Sequence, residues 1–382
     1  MTMSAPFPHG LTVIASPIKS GQARSYQRTA RILTVSSFLV DLTLVLVLLA
    51  GLSTTLRSLA VHVTSSPIAA VLIYLACLGP LFAGVGLPLD YLRGFWLEHC
   101  YGLSNQTRWA WIKDKLKGWA VAGVLAVLGT EFLYWTLREW PHQWWVICAL
   151  LFSAVFVLLA NLAPIIILPI FFKFQPVKDA TMVARLLDLS RRAGARVNGV
   201  FEWNLSEKSR KANAALVGLG NTRRIILADT LLEKFSEDEV EAVLAHELGH
   251  HAHRHLLRGL LIQTITTFVG FYLAELSLNH FSPRFGLSHK SDFANLPLLI
   301  LIFSGLSFLL LPLLNWHARG MERQADLFAL RVIPHPSALA TGLEKLADLN
   351  LTELQPPPWI EFIFHSHPSL AKRIRLAKSG TG

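Results

Sequence analysis

The chain is predicted to be a mainly α-helical membrane protein, with about six transmembrane helices and a cytoplasmic α+β domain holding a small sheet. Three observations predict this. Of its 382 residues, 52% are hydrophobic and 16% charged, and the mean hydropathy is +0.44, outside the ordinary soluble class. Apolar stretches long enough to span a bilayer recur along it. Between two of them, His246-Glu247-Leu248-Gly249-His250 sets two imidazoles one helical turn apart on one face.

The spans are expected at about Ile32–Ser53, Pro67–Leu87, Gly118–Leu137, Val146–Phe172, Leu256–Leu278 and Leu296–Trp316. The first thirty residues hold no compact apolar region with a small-residue cleavage site, so span one is expected to remain as an anchor. Lys19, Arg24, Arg28 and Arg31 precede span one, and Arg93, Arg108, Lys113, Lys115 and Lys117 lie between spans two and three. The opposite connections carry only Arg57, Arg138, Arg284 and Lys290. The positive-inside rule therefore places both termini, and the segment between spans four and five, in the cytoplasm. Trp140, Trp144 and Trp145 are expected at the other interface, where amphipathic rings are favoured. These flanks account for the net charge of +10. No basic stripe is interleaved with aromatics, so the lipid bilayer is the expected partner and nucleic acid is not.

The pentad should lie on a helix. Ser236 followed by Glu239 has the capping-box pattern, and Val240, Val243, Leu244 and Leu248 recur at helical spacing as a buried face. His246 and His250 could then share one zinc ion, with Glu247 beside the remaining coordination position. A water there would be acidified by the metal and deprotonated by the glutamate, which is the chemistry of peptide hydrolysis. His251, His253 and His255 fall on other faces of the same helix and read as solvent-facing or interfacial.

Two soluble stretches, about 173–255 and 317–382, are expected to meet and complete the site. The first reads as a helix over Asp179–Ala195, strands at Val197–Trp203, Ala214–Gly218 and Arg224–Ala228, with a turn at Gly220-Asn221, and then the metal helix. In the second, Glu322 and Asp326 stand four apart on one helical face. Glu322 could supply a third ligand, and Asp326 could hydrogen-bond a ligand imidazole. The alternative is a solvated face with an Arg319/Glu322 ion pair. Pro356-Pro357-Pro358 reads as a stiff loop between helices, and Cys77, Cys100 and Cys148 imply neither a disulfide framework nor a thiolate site.

With these motifs in view the chain resembles the type I CAAX prenyl endopeptidases, integral-membrane zinc proteases of the gluzincin kind, with the HtpX membrane proteases more distant. The likeness runs in the family's order through Leu87–Tyr91 and Glu98–Thr107, Ala163–Phe174, Lys211–Ala215, Arg224–Leu232, the HELGH pentad, Glu322–Asp326 and Ser366–Ile374. It implies His246, His250 and Glu322 as ligands of one zinc ion, Glu247 as general base, and Asp326 as orienter of a ligand histidine. It also implies His367 as oxyanion stabiliser, and Asn213 and Ala214 as substrate-binding residues on a strand that accepts the peptide backbone. Arg373 would pair with a carboxylate and support the His367 loop. The expected division is a cytoplasmic tail at 1–31, a four-helix membrane region at 32–172 with a cytoplasmic loop at 88–117, and a metalloprotease domain at 173–382 containing the last two spans.

Six spans are one fewer than in eukaryotic members, which suggests a bacterial inner-membrane protein. Substrates are then peptides or proteins, prenylated or otherwise membrane-associated. Two other functions stay open: a quality-control protease with the same chemistry, and a transporter with a metal site. Asp41, Glu131 and Glu275 lie within or near spans, where carboxylates are expensive, either lining a chamber or at an interface.

Overall fold

The computed structural model describes residues 17–218, 223–287 and 289–379. The Gly220-Asn221 turn and residues 1–16 of the expected N-terminal tail lie outside the described residues.

Among the described residues, six helices are long and apolar enough to cross a membrane: α1 (Gly21–Val63), α2 (Pro67–Cys100), α3 (Arg108–Glu139), α4 (Trp144–Phe171), α7 (His255–Phe285) and α8 (Phe293–Val332). Every expected span lies within one of them, give or take a residue at its end, but several helices run well beyond it. Hydropathy marks only the part in lipid, whereas the helical ladder continues into water unchanged. Helix α8 is 40 residues long, about 60 Å at 1.5 Å per residue, roughly twice the hydrocarbon thickness. Its apolar half crosses the membrane and its polar half is a rigid arm carrying Glu322 and Asp326. Helix α2 likewise continues to Cys100, so only 101–107 of the expected 88–117 loop is non-helical connection. Helix α1 bends at Gly51, whose φ of 137° only glycine adopts readily.

The soluble part is threaded between the spans. After β1 (Phe174–Pro176) come α5 (Ala180–Arg192), β2 (Val200–Trp203), β3 (Ala214–Val217), β4 (Arg224–Ala228) and the pentad helix α6 (Glu237–Ala252). Past α8 lie α9 (Ser337–Asn350), α10 (Pro358–Phe364) and α11 (Leu370–Ser379). Strand order is β1-β2-β4-β3, with β2 and β4 parallel and the outer pairs antiparallel. Strand β3 is therefore an edge. β1, hidden in the sequence behind the apolar end of α4, was not expected.

The capping box of Ser236 and Glu239 starts α6, and Val240, Leu244 and Leu248 are fully buried. They pack with Leu186, Ile225, Leu227 and Leu343 into the core that holds α6 between sheet and helices. Each such side chain contributes about 1.5–3 kcal/mol of transfer free energy.

At the end of the bundle away from α6, Lys290 Nζ donates to both carboxylate oxygens of Glu275 at 2.7 and 3.0 Å. Trp144 Nε1 donates to the same carboxylate at 2.5 Å. Glu275 is thus a tie for the α7–α8 connection. Trp144, expected at a lipid interface, is fully buried because this carboxylate satisfies its N–H inside the bundle. Asp41 is exposed, and Glu131 Oε1 is buried without a hydrogen-bond partner among the described residues. Cys77, Cys100 and Cys148 are free thiols.

Candidate active site

Helices α6 and α8 cross closely, and Gly249 permits it. A Cβ added there would sit 2.8 Å from Ala325 Cα and 2.9 Å from Ala325 O, too near for any other residue without displacing backbone. This close approach brings Glu322 of α8 under His246 and His250 of α6. Nε2 of His246 and Nε2 of His250 are 3.2 Å apart. Glu322 Oε2 is 3.2 Å from the first, and Oε1 is 3.3 Å from the second. Among the described residues, this is the one His/Cys/Asp/Glu trio whose ligand atoms converge in this way.

The donor set fits a metal. Ligand atoms at about 2.0–2.1 Å from a tetrahedral centre stand roughly 3.3–3.4 Å from one another, close to the spacings found. Glu322 is 6% exposed, and among the described residues its Oε2 makes no well-formed hydrogen bond, with His246 Nε2 at 3.2 Å and Arg373 Nη1 at 3.8 Å. A buried carboxylate oxygen so placed is open to a cation.

Around this trio the other expected residues take distinct places. Asp326 is 1% exposed and accepts from His246 Nδ1 at 2.8 Å. It is also gripped by Arg373, whose Nε and Nη2 donate at 2.9 and 2.7 Å in a bidentate pair. Burial pushes the His246 imidazole down, but the Asp326 and Glu322 carboxylates beside it outweigh that and carry it up to about 9. Glu247 is half-buried beside the trio, and burial raises its carboxyl above the ordinary value despite the nearby histidines. His367 is the most open of these groups. Its side chain is 59% exposed, with Nε2 3.3 Å from Glu322 Oε1 and Nδ1 2.9 Å from Ser366 Oγ.

Arg373 pairs with a carboxylate as expected, and the His367 loop has further ties from α8. Arg373 pairs with Asp326, while the backbone ahead of His367 is fastened by Arg319 and Asn315 of α8. Arg319 Nη1 donates to the carbonyls of Glu361 and His365 at 2.9 and 2.7 Å, and Asn315 Nδ2 to Ile363 O at 2.6 Å. The Arg319/Glu322 ion pair therefore does not form; Arg319 turns to carbonyls that only the folded chain brings near.

Asn213 is exposed at the head of edge strand β3, which packs on α6, and Ala214 beside it is buried. Asn350 grips the backbone of Ala212, accepting from its N at 3.1 Å and donating to its O at 3.3 Å. From the membrane half, the 101–107 connection pairs with the approach to β3: Arg210 N donates to Leu103 O at 2.9 Å, and Asn105 N to Lys208 O at 3.1 Å. Lys211 Nζ adds an ion pair to Glu98 at 2.8 Å.

His255 is the main correction. Expected on another face, it is 4% exposed, and its Nδ1 is 3.0 Å from His250 Nδ1. Helix α6 stops at Ala252, and Arg254 takes the left-handed conformation at φ 54°, which folds His255 back. Neither that break nor the need for Gly249 is visible in helical spacing.

Known proteins resemble this chain over most of its length. The model of peptidase family M48 matches residues 176–380, and that of the CAAX prenyl protease N-terminal region, described as five membrane helices, matches 3–173. Four of the candidate spans fall in the latter region. The uncharacterized metalloprotease YhfN of Bacillus subtilis is 31% identical over 77% of this chain and 70% of its own length. CAAX prenyl protease 1 of Saccharomyces cerevisiae is 30% identical over 81% of this chain and 72% of its own. The crystal structure of S. mikatae Ste24p superposes with a TM-score of 0.88 at 24% identity, covering 97% of this chain and 91% of that one, which establishes a shared fold. The family is a metal-dependent one, and from the spans, the metal-fit trio and these matches it follows that the chain belongs to peptidase family M48, as an integral-membrane, multi-pass metalloendopeptidase acting on peptide or protein substrates.

Proposed function

We propose that the chain is a zinc endopeptidase of the bacterial inner membrane with its site and both termini on the cytoplasmic side, cleaving membrane-associated and prenylated peptides as a CAAX prenyl protease does. His246, His250 and Glu322 hold the zinc. The observation that carries this is the convergence of one ligand atom from each of the three, with His246 Nε2 and His250 Nε2 3.2 and 3.3 Å from the buried Glu322 carboxylate. The charge asymmetry of the flanks supports the orientation, and similarity extending through the N-terminal membrane half supports the substrate class.

Zinc held there would supply Lewis acidity to a scissile carbonyl and to a water. Glu247, its carboxyl raised by burial, takes the water proton and returns it to the leaving amine. His367 donates from Nε2 to the developing oxyanion, with Ser366 Oγ–H satisfying Nδ1. Asp326 keeps the His246 proton on Nδ1, so that Nε2 presents its lone pair. The substrate adds as a strand along β3, its backbone read by Asn213 and Ala214.

The test is hydrolysis of a farnesylated CAAX peptide and of an unprenylated membrane-protein fragment by purified wild type and Glu247→Ala, with zinc measured in both. The prenylated peptide should be cut by wild type alone, with zinc present in both proteins. Preference for the unprenylated fragment would make this a quality-control protease with the same chemistry. Wild type without zinc would sink the site assignment.

A further inference from the structure

His255 has no part in the chemistry above, yet it is buried against a proposed ligand. Its Nδ1 lies 3.0 Å from His250 Nδ1 and its Nε2 lies 3.0 Å from Gln324 Oε1. Gln324 Oε1 in turn lies 3.3 Å from Arg258 Nη1. On a continuous helix, residues five apart stand about 140° apart around the axis and do not meet. The contact exists because Arg254, a residue with a Cβ, adopts φ 54° and ψ 37°. That conformation costs about 1–2 kcal/mol, and such strain persists where surrounding contacts require it.

The direction of each hydrogen bond follows from one residue. A guanidinium only donates, so the Gln324 atom facing Arg258 is its carbonyl oxygen. His255 Nε2 must then donate to that oxygen. A neutral imidazole carries one N–H, so His255 Nδ1 is an acceptor, and His250 Nδ1 must be the donor to it. His250 Nε2 is left with its lone pair, facing Glu322 across the site.

We propose that His255 is a positioning residue which, backed by Gln324 and Arg258, holds His250 in the tautomer whose Nε2 binds the metal. The inference rests on the ligand set proposed above. His246 is held by the same logic with different chemistry, through Arg373 and the Asp326 carboxylate. Each ligand imidazole thus has a relay ending on an arginine, one through a carboxylate and one through an uncharged amide. Helix α8 supplies the ligand Glu322 and both acceptors, Gln324 and Asp326. The uncharged relay orients His250 without adding another anion beside Glu322 and Glu247.

The experiment is zinc affinity of the full-length protein in detergent, by competition with a chromophoric chelator. His255→Ala should weaken zinc about 10–100-fold, the range for losing a residue behind a ligand. Gln324→Glu keeps an acceptor and should bind near the wild-type level. Gln324→Lys presents only donors, reverses the relay and should weaken zinc about 10-fold or more. His253→Ala removes a ring stacked on His255 at 5.6 Å and should change little. His250→Ala marks the loss of a ligand. Should His255→Ala fail to fold, the Gln324 pair decides the matter, since that side chain sits at an exposed position. If wild type holds zinc, His250→Ala loses it, and Gln324→Lys binds like Gln324→Glu, the relay is wrong and the ligand set stands. If wild type binds no zinc, or His250→Ala binds as well as wild type, the ligand set falls and the relay with it.

Discussion

Gly249→Ala tests how the site is assembled, because its effect follows from one contact. The new methyl carbon would lie 2.8 Å from Ala325 Cα, 2.9 Å from its carbonyl oxygen and 3.2 Å from its Cβ. Carbon atoms rest at about 3.5–4.0 Å, so α6 and α8 must separate by roughly 0.7–1.2 Å. No side-chain rotation can relieve the clash, since the nearest atoms are backbone. Overpacking of this kind costs about 1–3 kcal/mol, and alanine returns about 0.8–1 kcal/mol of helix propensity over glycine. The net loss is thus about 0–2 kcal/mol, which a folded protein survives with a modest fall in Tm. The site does not survive. Glu322 sits three residues before Ala325 and His250 is next to Gly249, and metal–ligand distances tolerate only about 0.2 Å. Zinc affinity should drop more than about 10-fold, and hydrolysis with it, while thermal unfolding shifts only slightly. Chelator competition and a melting curve on the same preparation read both quantities. An alanine variant with wild-type zinc affinity and turnover would refute the claim that this crossing sets the ligand distances.

Three further outcomes are expected. Glu247→Gln should keep its zinc and lose about 10²–10⁴ in kcat, the usual worth of a general base, as measured by peptide cleavage alongside metal content. Asp326→Asn should weaken zinc about 10–100-fold by loosening the His246 tautomer, and should also lower stability because Arg373, 10% exposed, loses its buried counter-ion; Arg373→Met in the same background should recover part of the stability and none of the affinity. Apparent zinc affinity should rise with pH up to about 9, where the metal-free His246 titrates. Below that value zinc must displace a proton, giving about a tenfold gain per pH unit; a flat profile between pH 7 and 9 would show that His246 is already neutral.

How much could be read in advance varies with the range of the interaction responsible. The six spans were legible because each is a continuous run of apolar side chains and the bilayer demands such runs. Strand β4 was legible because Arg224-Ile225-Ile226-Leu227-Ala228 is a short apolar run with two β-branched residues, and it is buried from Ile225 to Ala228. Strand β1 was masked by the apolar end of α4. An indole near a span end usually sits at a lipid interface, and only the folded bundle shows the Glu275 carboxylate that accepts from the Trp144 N–H.

The pentad, its capping box and the Glu322–Asp326 spacing needed no tertiary information, since all are set by the local pitch of a helix. The same pitch misplaced His255, because a local rule cannot anticipate a left-handed residue at Arg254 that breaks the helix. The role of Gly249 is equally invisible along the chain; it is a demand made by Ala325 of another helix. Arg319 likewise carries a charge that spacing would give to Glu322, but the fold offers it carbonyls from α10 instead. Sequence alone determined which groups could hold a metal and which helix presents them. Tertiary structure decided the distances between them, how each imidazole is held and what fastens the His367 loop, because those depend on atoms tens of residues apart being packed to within a few tenths of an ångström.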